Sequence, residues 1–510
     1  MTIEPAFADF ERIHSQGAPQ VVWTRLIDDL ETPVSAYLKI AHGRPYAFLF
    51  ESVEGGAWRG RYSVIAMKPD LVWRCRGDRA EIAQGEDIGA GRFTPQDGGA
   101  LDSLRDLVAA SRLELPPGLP PMSAGVFGAV GYDMIRLVER LPNVNPDPLG
   151  LPDAVMTRPS VVAIFDAIAQ EIVLVTTVRP SAASAEDAYA AAKARLTDVI
   201  ADLRKAAPPL TGAAAPEPDR FTTPVSREAY REVVEKAKAY IRAGDIFQVV
   251  PSHRFRAPFA HDPLALYRSL RRMNPSPFLF YLNFGDFQLA GSSPEILVRL
   301  RDGKITIRPI AGTRPRGATP AEDRRLEEEL IADPKERAEH LMLLDLGRND
   351  VGRVAMLKNA GANEPRQAPR GPRVRVTDSF FVERYSHVMH LVSNVEGDAP
   401  EGLDPVDVLM AALPAGTLSG APKVRAMEII DELEIEKRGI AYAGAVGYFG
   451  ADGSVDTCIV LRTACFKDGQ MYVQAGGGVV ADSDPDAEYD ETLHKARALR
   501  RAAEEAWRFI

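Results

Sequence analysis

Cysteine is scarce: the 510-residue chain has three, Cys75, Cys458 and Cys465. They form no CxxC pair and no disulfide framework, and such sparse use fits a reducing cytoplasm. All three lie in strand-like runs, and no segment has the GxCxG-type nucleophile of a glutamine amidotransferase. The eight histidines supply no HExxH and no metal-ligand spacing, and no GxSxG elbow occurs. No apolar run approaches the ~18 residues of a membrane span. The first residues, MTIEPAFADFERIHSQG, lack the basic and apolar regions of a signal peptide. Positive charge is in deficit, 61 Lys and Arg against 71 Asp and Glu, for a net charge of −10. Nucleic acid and anionic membrane are therefore excluded as main partners. An acidic protein that binds an anion must gather its positive charge locally.

What is present is an ordinary globular composition, 45% hydrophobic and 26% charged. The length exceeds the ~250–300 residues over which one core usually grows, which predicts two domains or one elaborate two-layer body. Residues 45–52, RYSVIAM and LVWRCRG read as a strand meander, with Glu54–Gly60 as its first turn. Residues 123–141 read as a Gly-rich buried segment followed by an amphipathic helix, 160–178 as two strands, and 184–205 as an Ala-rich helix capped by Ser184. A Pro/Ala/Thr-rich linker at 206–226 separates an N-terminal domain, 20–205, from a second, 227–505. The second opens on the helix Arg227–Ala243, which stops at Gly244. AYAGAVGYFG, TCIVLRTACF and MYVQAGGGVV read as three strands. Many strands without regular βαβ alternation predict an α+β class with large antiparallel sheets and helices outside.

Two stretches carry acidic chemistry. In DPKERAEHLMLLDLGRND, Asp333 and Pro334 cap a helix and Glu336 completes a capping box. Glu336, Glu339, Leu343 and Leu346 share one stripe of it. Taken alone, the pattern favours a plain reading: Glu336 closes its own cap and Glu339 pairs with a nearby arginine. In DSDPDAEYDETLHKARAL, Asp484 and Pro485 cap a second helix with Glu488, Glu491 and Lys495 on one face. The plain reading there is a surface Glu491–Lys495 pair worth a few tenths of a kcal/mol. If the helices face each other, the four glutamates form an oxygen-only cage suited to magnesium. GTLSGAPK and AGGGVV match neither a P-loop nor GxGxxG, but their glycines admit close backbone approach to an anion.

In sequence order, IRPIAGTRPRG, DPKERAEHLMLLDLGRND, ERYSHVMHLVS, LPAGTLSGAPKVRAMEII, VDTCIVLRTA and VQAGGGVVADSDPDAEYDETLHKARA resemble the chorismate-binding family. The resemblance runs from about Val225 to Arg500 and is strongest to the large subunits that form anthranilate. It implies the family's α/β sandwich and a lyase that converts chorismate and ammonia to anthranilate and pyruvate, the first committed step of tryptophan biosynthesis. Isochorismate and salicylate synthases carry a water-activating lysine where this chain has Gln248, and aminodeoxychorismate synthases carry a nucleophilic lysine where it has Ala311. Neither an amide nor a methyl group can play those parts, which leaves direct attack by ammonia. The nearest alternatives are 2-amino-2-deoxyisochorismate synthase and aminodeoxychorismate synthase component I, and, from another class, a catalytically dead binding subunit.

By the same resemblance, Glu339 and Glu491, supported by Glu336 and Glu488, hold Mg²⁺ against the ring carboxylate. Arg462 and Tyr442, with the N–H groups of Gly476, Gly477 and Gly478, hold the enolpyruvyl carboxylate, and Gly312, Thr313, Thr417 and Lys495 line the site. Glu295 is the general acid for the departing hydroxyl, Gln248 and Thr313 assist, and His390 serves pyruvate elimination. Glu51, Ser52, Pro277 and Phe278 match contacts of the inhibitor tryptophan. The implied partner is a glutamine amidotransferase subunit that delivers ammonia, in a cytoplasmic hetero-oligomer. The basic stretch 357–376 is longer than the family pattern and receives no function.

Overall fold

The computed structural model describes all residues except 1, 53–59, 143, 213–220, 357–373 and 386–387. Residues 54–59 of the expected turn, 213–220 of the 206–226 linker and nearly all of the basic stretch therefore lie outside the described residues. Antiparallel ladders join 21 strands into one continuous sheet system. The ladders cross between the two halves of the sequence: Ala47–Glu51 pairs with Phe278–Asn283, and Gly125–Val130 pairs with Ala445–Gly450.

Strand alternation divides the apolar side chains among three main cores. Phe48, Phe127, Phe280, Val446 and Cys465 point into a core built almost wholly from strands. Ala47, Leu49, Leu279 and Ala464 point the other way, beneath the helices Ala185–Leu203, Pro263–Met273 and Pro485–Glu505. Trp73, Val126, Val298 and Val455 lie beneath Ala100–Ala110, Pro334–Ala355 and Pro405–Ala412. The two glutamate-bearing helices thus rest on different cores, yet both line one cavity, the first as far as Leu343 and the second as far as Leu499. The architecture is α+β with large antiparallel sheets and helices outside.

Several local expectations change. RYSVIAM and LVWRCRG form one strand, Tyr62–Arg76, whose ladder shifts register between Pro69 and Leu71. Within 123–141 the Gly-rich buried segment is the strand Gly125–Val130, and the amphipathic helix expected after it is instead a short 3-10 helix, Tyr132–Leu137. Tertiary bonds take over there: Asp133 accepts from the Gly439 N–H at 2.9 Å, and Arg136 bridges Asp133 and Asp431. The C-terminal region has four strands rather than three, because TCIVLRTACF divides into Val455–Ile459 and Thr463–Lys467. Arg462 sits between them with φ 49°, a left-handed turn that no β-pattern announces.

Candidate active site

The first glutamate helix, Pro334–Ala355, begins as its sequence dictates, with Asp333 accepting from the N–H groups of Lys335 and Glu336. The capping box does not close. Arg314 donates to Glu336 at 2.9 Å and to Asp333 at 2.7 Å, drawing the Glu336 carboxylate outward from its own cap. The second, Pro485–Glu505, is capped by Asp484, which accepts from the N–H groups of Asp486 and Ala487. The N-terminal parts of both helices open into one cavity of ≈ 700 Å³, lined by Glu336, Glu339, Glu488 and Glu491 among others.

These carboxylates feel one another. Burial raises the Glu339 pKa, and the charges of Glu336 and Glu491 raise it further. Burial also raises Glu488, against a hydrogen bond from Ser483 at 2.6 Å, with Glu491 adding to the rise. Glu488 Oε2 is buried without a partner, and Glu339 has no ion pair among the described residues. Cations hold the other two: Arg314 on Glu336 and Lys495 on Glu491 at 2.7 Å. The plain Glu491–Lys495 pair is therefore present. Among the described residues no three acidic, histidine or cysteine side chains are gathered at ligating distance. An orphaned buried oxygen and mutual repulsion still make this an oxygen donor set that a hard divalent cation would relieve.

Glu295 also lines this cavity, in the short link between strands Gln288–Ser293 and Ile296–Arg301. Burial pushes its pKa up to about 8, although the Thr417 hydroxyl, 3.2 Å from both carboxyl oxygens, and the Arg462 charge pull it down. It is a carboxylic acid that stays protonated near neutral pH. The turn at Arg462 aims its guanidinium at the same cavity. Burial lowers its pKa, and it makes no hydrogen bond among the described residues, leaving a planar donor fork open. Tyr442 lines the cavity, its hydroxyl pushed up to about 12 by burial.

A bulge places His390. The ladder of Ile310–Pro315 with Val388–Asp398 shifts register at Gly312, whose φ is 71°, and sets Thr313 opposite His390. His390 Nδ1 lies 3.0 Å from Thr313 Oγ1 and 3.3 Å from the Gly312 carbonyl oxygen. A carbonyl only accepts, so Nδ1 carries the proton and Nε2 offers a lone pair. Burial and the Arg462 charge lower the His390 pKa to about 4, so the ring is neutral.

Gln248 and Ala311 also line the cavity, and Gln248 Oε1 is buried without a partner. The glycine run is packed too tightly for side chains: a Cβ on Gly477 would lie 2.5 Å from Glu488 Oε2, and one on Gly478 would lie 2.5 Å from Gln248 Nε2. The Gly476 carbonyl accepts from Lys495 at 2.8 Å. A second cavity of ≈ 420 Å³ shares Thr313, His390, Arg462 and Lys495 and extends to Asn274–Ser276.

The candidate inhibitor segments lie elsewhere on the sheet. Their ladder ends with Leu279 opposite Glu51, so Phe278 and Ser52 follow just beyond its last pair. Glu51 is already engaged by Arg271 at 2.8 and 3.0 Å and by the Tyr267 hydroxyl. Sequence reasoning missed Arg314, Ser483 and Arg438. Arg314 and Ser483 stand inside family motifs, whereas Arg438 has no local signal to mark it.

The match to the model of the chorismate binding enzyme family spans residues 48–501. Anthranilate synthase component 1 of Cereibacter sphaeroides is 57% identical over 99% of this chain and 98% of that protein. The Thermus thermophilus protein of the same name is 47% identical over 94% of this chain and 96% of its own. Among solved structures, anthranilate synthase component I from Streptococcus pneumoniae aligns with TM-score 0.73 and 35% identity, over 94% of this chain and 99% of that one. The menaquinone-specific isochorismate synthase MenF of Escherichia coli shares the fold at TM-score 0.69 and 20% identity, over 98% and 99%. With its acid, its arginine and its paired glutamates around one cavity, this chain belongs to the chorismate binding enzyme family.

Proposed function

We propose that this chain is the chorismate-converting component of an anthranilate synthase: chorismate and ammonia give anthranilate, pyruvate and water. The observation that carries the reading is a cavity with a protonated acid, Glu295, and no lysine at position 248 or 311. The acid can expel a ring hydroxyl, yet neither position can activate water or form a covalent adduct. Ammonia is then the nucleophile, and the orphaned Gln248 Oε1 offers it a hydrogen-bond acceptor.

Arg462 and Tyr442 hold the enolpyruvyl carboxylate, where a guanidinium without a protein partner gains one. Lys495, Thr313, Thr417 and the Gly476–Gly478 backbone complete the wall. Glu339 and Glu491, with Glu336 and Glu488 behind them, would hold Mg²⁺. When bound, the ion supplies positive charge against the ring carboxylate. Glu295 gives its proton to the departing hydroxyl, which leaves as water while ammonia adds. His390 then takes the ring proton through Nε2 while the ring becomes aromatic and the C–O bond to the enolpyruvyl group breaks; the imidazolium returns that proton to the methylene carbon of the enolate, which leaves as pyruvate, and the added ammonium gives its proton back to Glu295.

Ammonia comes from a separate glutamine amidotransferase subunit in a hetero-oligomer. Tryptophan inhibits by occupying the space beside Ser52 and Phe278. None of the described helices is long and apolar enough to cross a membrane; the cytoplasm is the proposed location. Incubation of the purified chain with chorismate, Mg²⁺ and ammonium, followed by anthranilate fluorescence, tests the reading. An amino-cyclohexadiene product would instead indicate an enzyme that stops before elimination. Absence of turnover would indicate a binding subunit.

A further inference from the structure

Arg438 does not line the cavity, yet it fastens several of its walls. Its side chain is almost wholly buried, and it pairs with Glu434 four residues earlier, with Nε at 3.0 and 3.2 Å from the carboxylate oxygens. Nη1 donates to the Leu418 carbonyl at 2.6 Å, and Nη2 donates to the Val250 carbonyl at 2.6 Å. The guanidinium stacks 4.8 Å from the Tyr132 ring centroid and 5.3 Å from that of Tyr442. Glu434 Oε1 in turn accepts from Ser252 N and Oγ, both at 2.8 Å, and Ser252 Oγ accepts from Gln474 at 2.9 Å. Val250, Leu418, Tyr442 and Gln474 are all cavity residues.

We infer that Arg438 is a positioning residue for the acid step: by clamping the Leu418 carbonyl it fixes the neighbouring Thr417, whose hydroxyl holds Glu295, while the same guanidinium sets the Val250 and Tyr442 walls. Its planar fork makes it suited to this task. The Glu434 carboxylate uses one edge, and the remaining N–H groups reach two carbonyls that are far apart in sequence. A lysine has no such fixed fork and cannot hold all three at once. The inference rests on Glu295 being the acid.

The test compares Thr417→Val, Arg438→Lys and the double variant in ammonia-dependent turnover at a fixed concentration of free ammonia. Glu295 accepts from the Thr417 hydroxyl and feels the Arg462 charge, His390 and Tyr442 line the same cavity, and Asp350 lines a smaller cavity that Glu295 also borders; of these, only Thr417 is altered. Losing the Thr417 bond removes an interaction that favours ionised Glu295, so the alkaline limb of kcat moves to higher pH in Thr417→Val. Arg438→Lys should move that limb in the same direction and lower kcat per folded molecule by up to about 10²-fold, the range that a small misplacement costs. In the double variant the limb and the kcat loss should stay near the larger single effect, because both changes act through one contact. An Arg438→Lys limb that stays put, with activity lost only in proportion to folded protein by circular dichroism, overturns the inference. So does full additivity in the double variant. If Thr417→Val leaves the limb in place, the acid assignment itself fails, and this inference falls with it.

Discussion

Glu295 shows how one residue can be tuned by what is withheld from it. Among the described residues its carboxyl group receives one shared hydroxyl hydrogen bond and no ion pair, so burial dominates and the acid form persists to about pH 8. The folded state therefore binds a proton that the unfolded chain has released above the ordinary carboxyl value of 4.5. Stability from this group is fully present below that value and is lost as pH rises toward about 8. Glu295→Gln has no proton to lose. Its melting temperature relative to the parent should rise from pH 5 to pH 8, while turnover falls by roughly 10²–10⁴-fold, the contribution of a positioned general acid. Calorimetry at both pH values and the fluorescence assay read the two effects. A variant no more stable at pH 8 than at pH 5 would mean that Glu295 is ionised in the fold.

The glutamate helices carry the next step at the scale of elements. Each has an N-terminal carboxylate cap, but their meeting depends on two different cores delivering two glutamate-bearing helices to one cavity. Glu339→Gln and Glu491→Gln each remove one charge without changing volume. Both variants should fold, and their apparent Mg²⁺ requirement should rise at least the 10- to 100-fold that loss of an outer-shell partner costs. Titration of Mg²⁺ at fixed chorismate measures it, and an unchanged requirement in both would remove the metal from these residues. The caps were legible because Asp-Pro followed by Glu is local chemistry, and the helix at 227–243 was legible for the same reason. The convergence of the helices was not, since register between strands hundreds of residues apart sets it. Nor was the turn at Arg462, which interrupts a continuous run of strand-forming residues, or the 3-10 helix at 132–137, where buried partners override an amphipathic pattern. Resemblance to a family, rather than periodicity, brought Glu295 and Arg462 into view.

The intermixing of the two halves of the chain gives the whole molecule its constraints. All three cysteines are buried in strands, and burial raises every thiol, Cys75 and Cys465 to about 12. None can present the thiolate that glutamine hydrolysis needs, so the pure chain should use ammonia and ignore glutamine until an amidotransferase is added. Glutamine-driven turnover by the chain alone, followed by anthranilate fluorescence, would refute this. The proposed inhibitor segments are tied into the same body. Ser292 Oγ donates to the Asn274 carbonyl at 2.6 Å, and Ser292 N donates to the Arg462 carbonyl at 3.2 Å, so one residue joins the helix end that precedes Phe278 with the turn that aims Arg462. A ligand wedged between Ser52 and Phe278 can shift that turn only if it binds one arrangement of it better than another. The coupling must then be reciprocal: the factor by which tryptophan weakens chorismate binding is the factor by which chorismate weakens tryptophan binding. Titration of tryptophan with and without chorismate, ammonia being withheld to prevent turnover, measures one side, and the converse titration measures the other. Ser52→Phe fills the space, so it should abolish tryptophan binding and inhibition while leaving the uninhibited rate within about twofold, as expected of a change that touches neither substrate nor metal. Inhibition that persists in Ser52→Phe would place the tryptophan site elsewhere, and a coupling factor near one would make the effect one of rate rather than of binding.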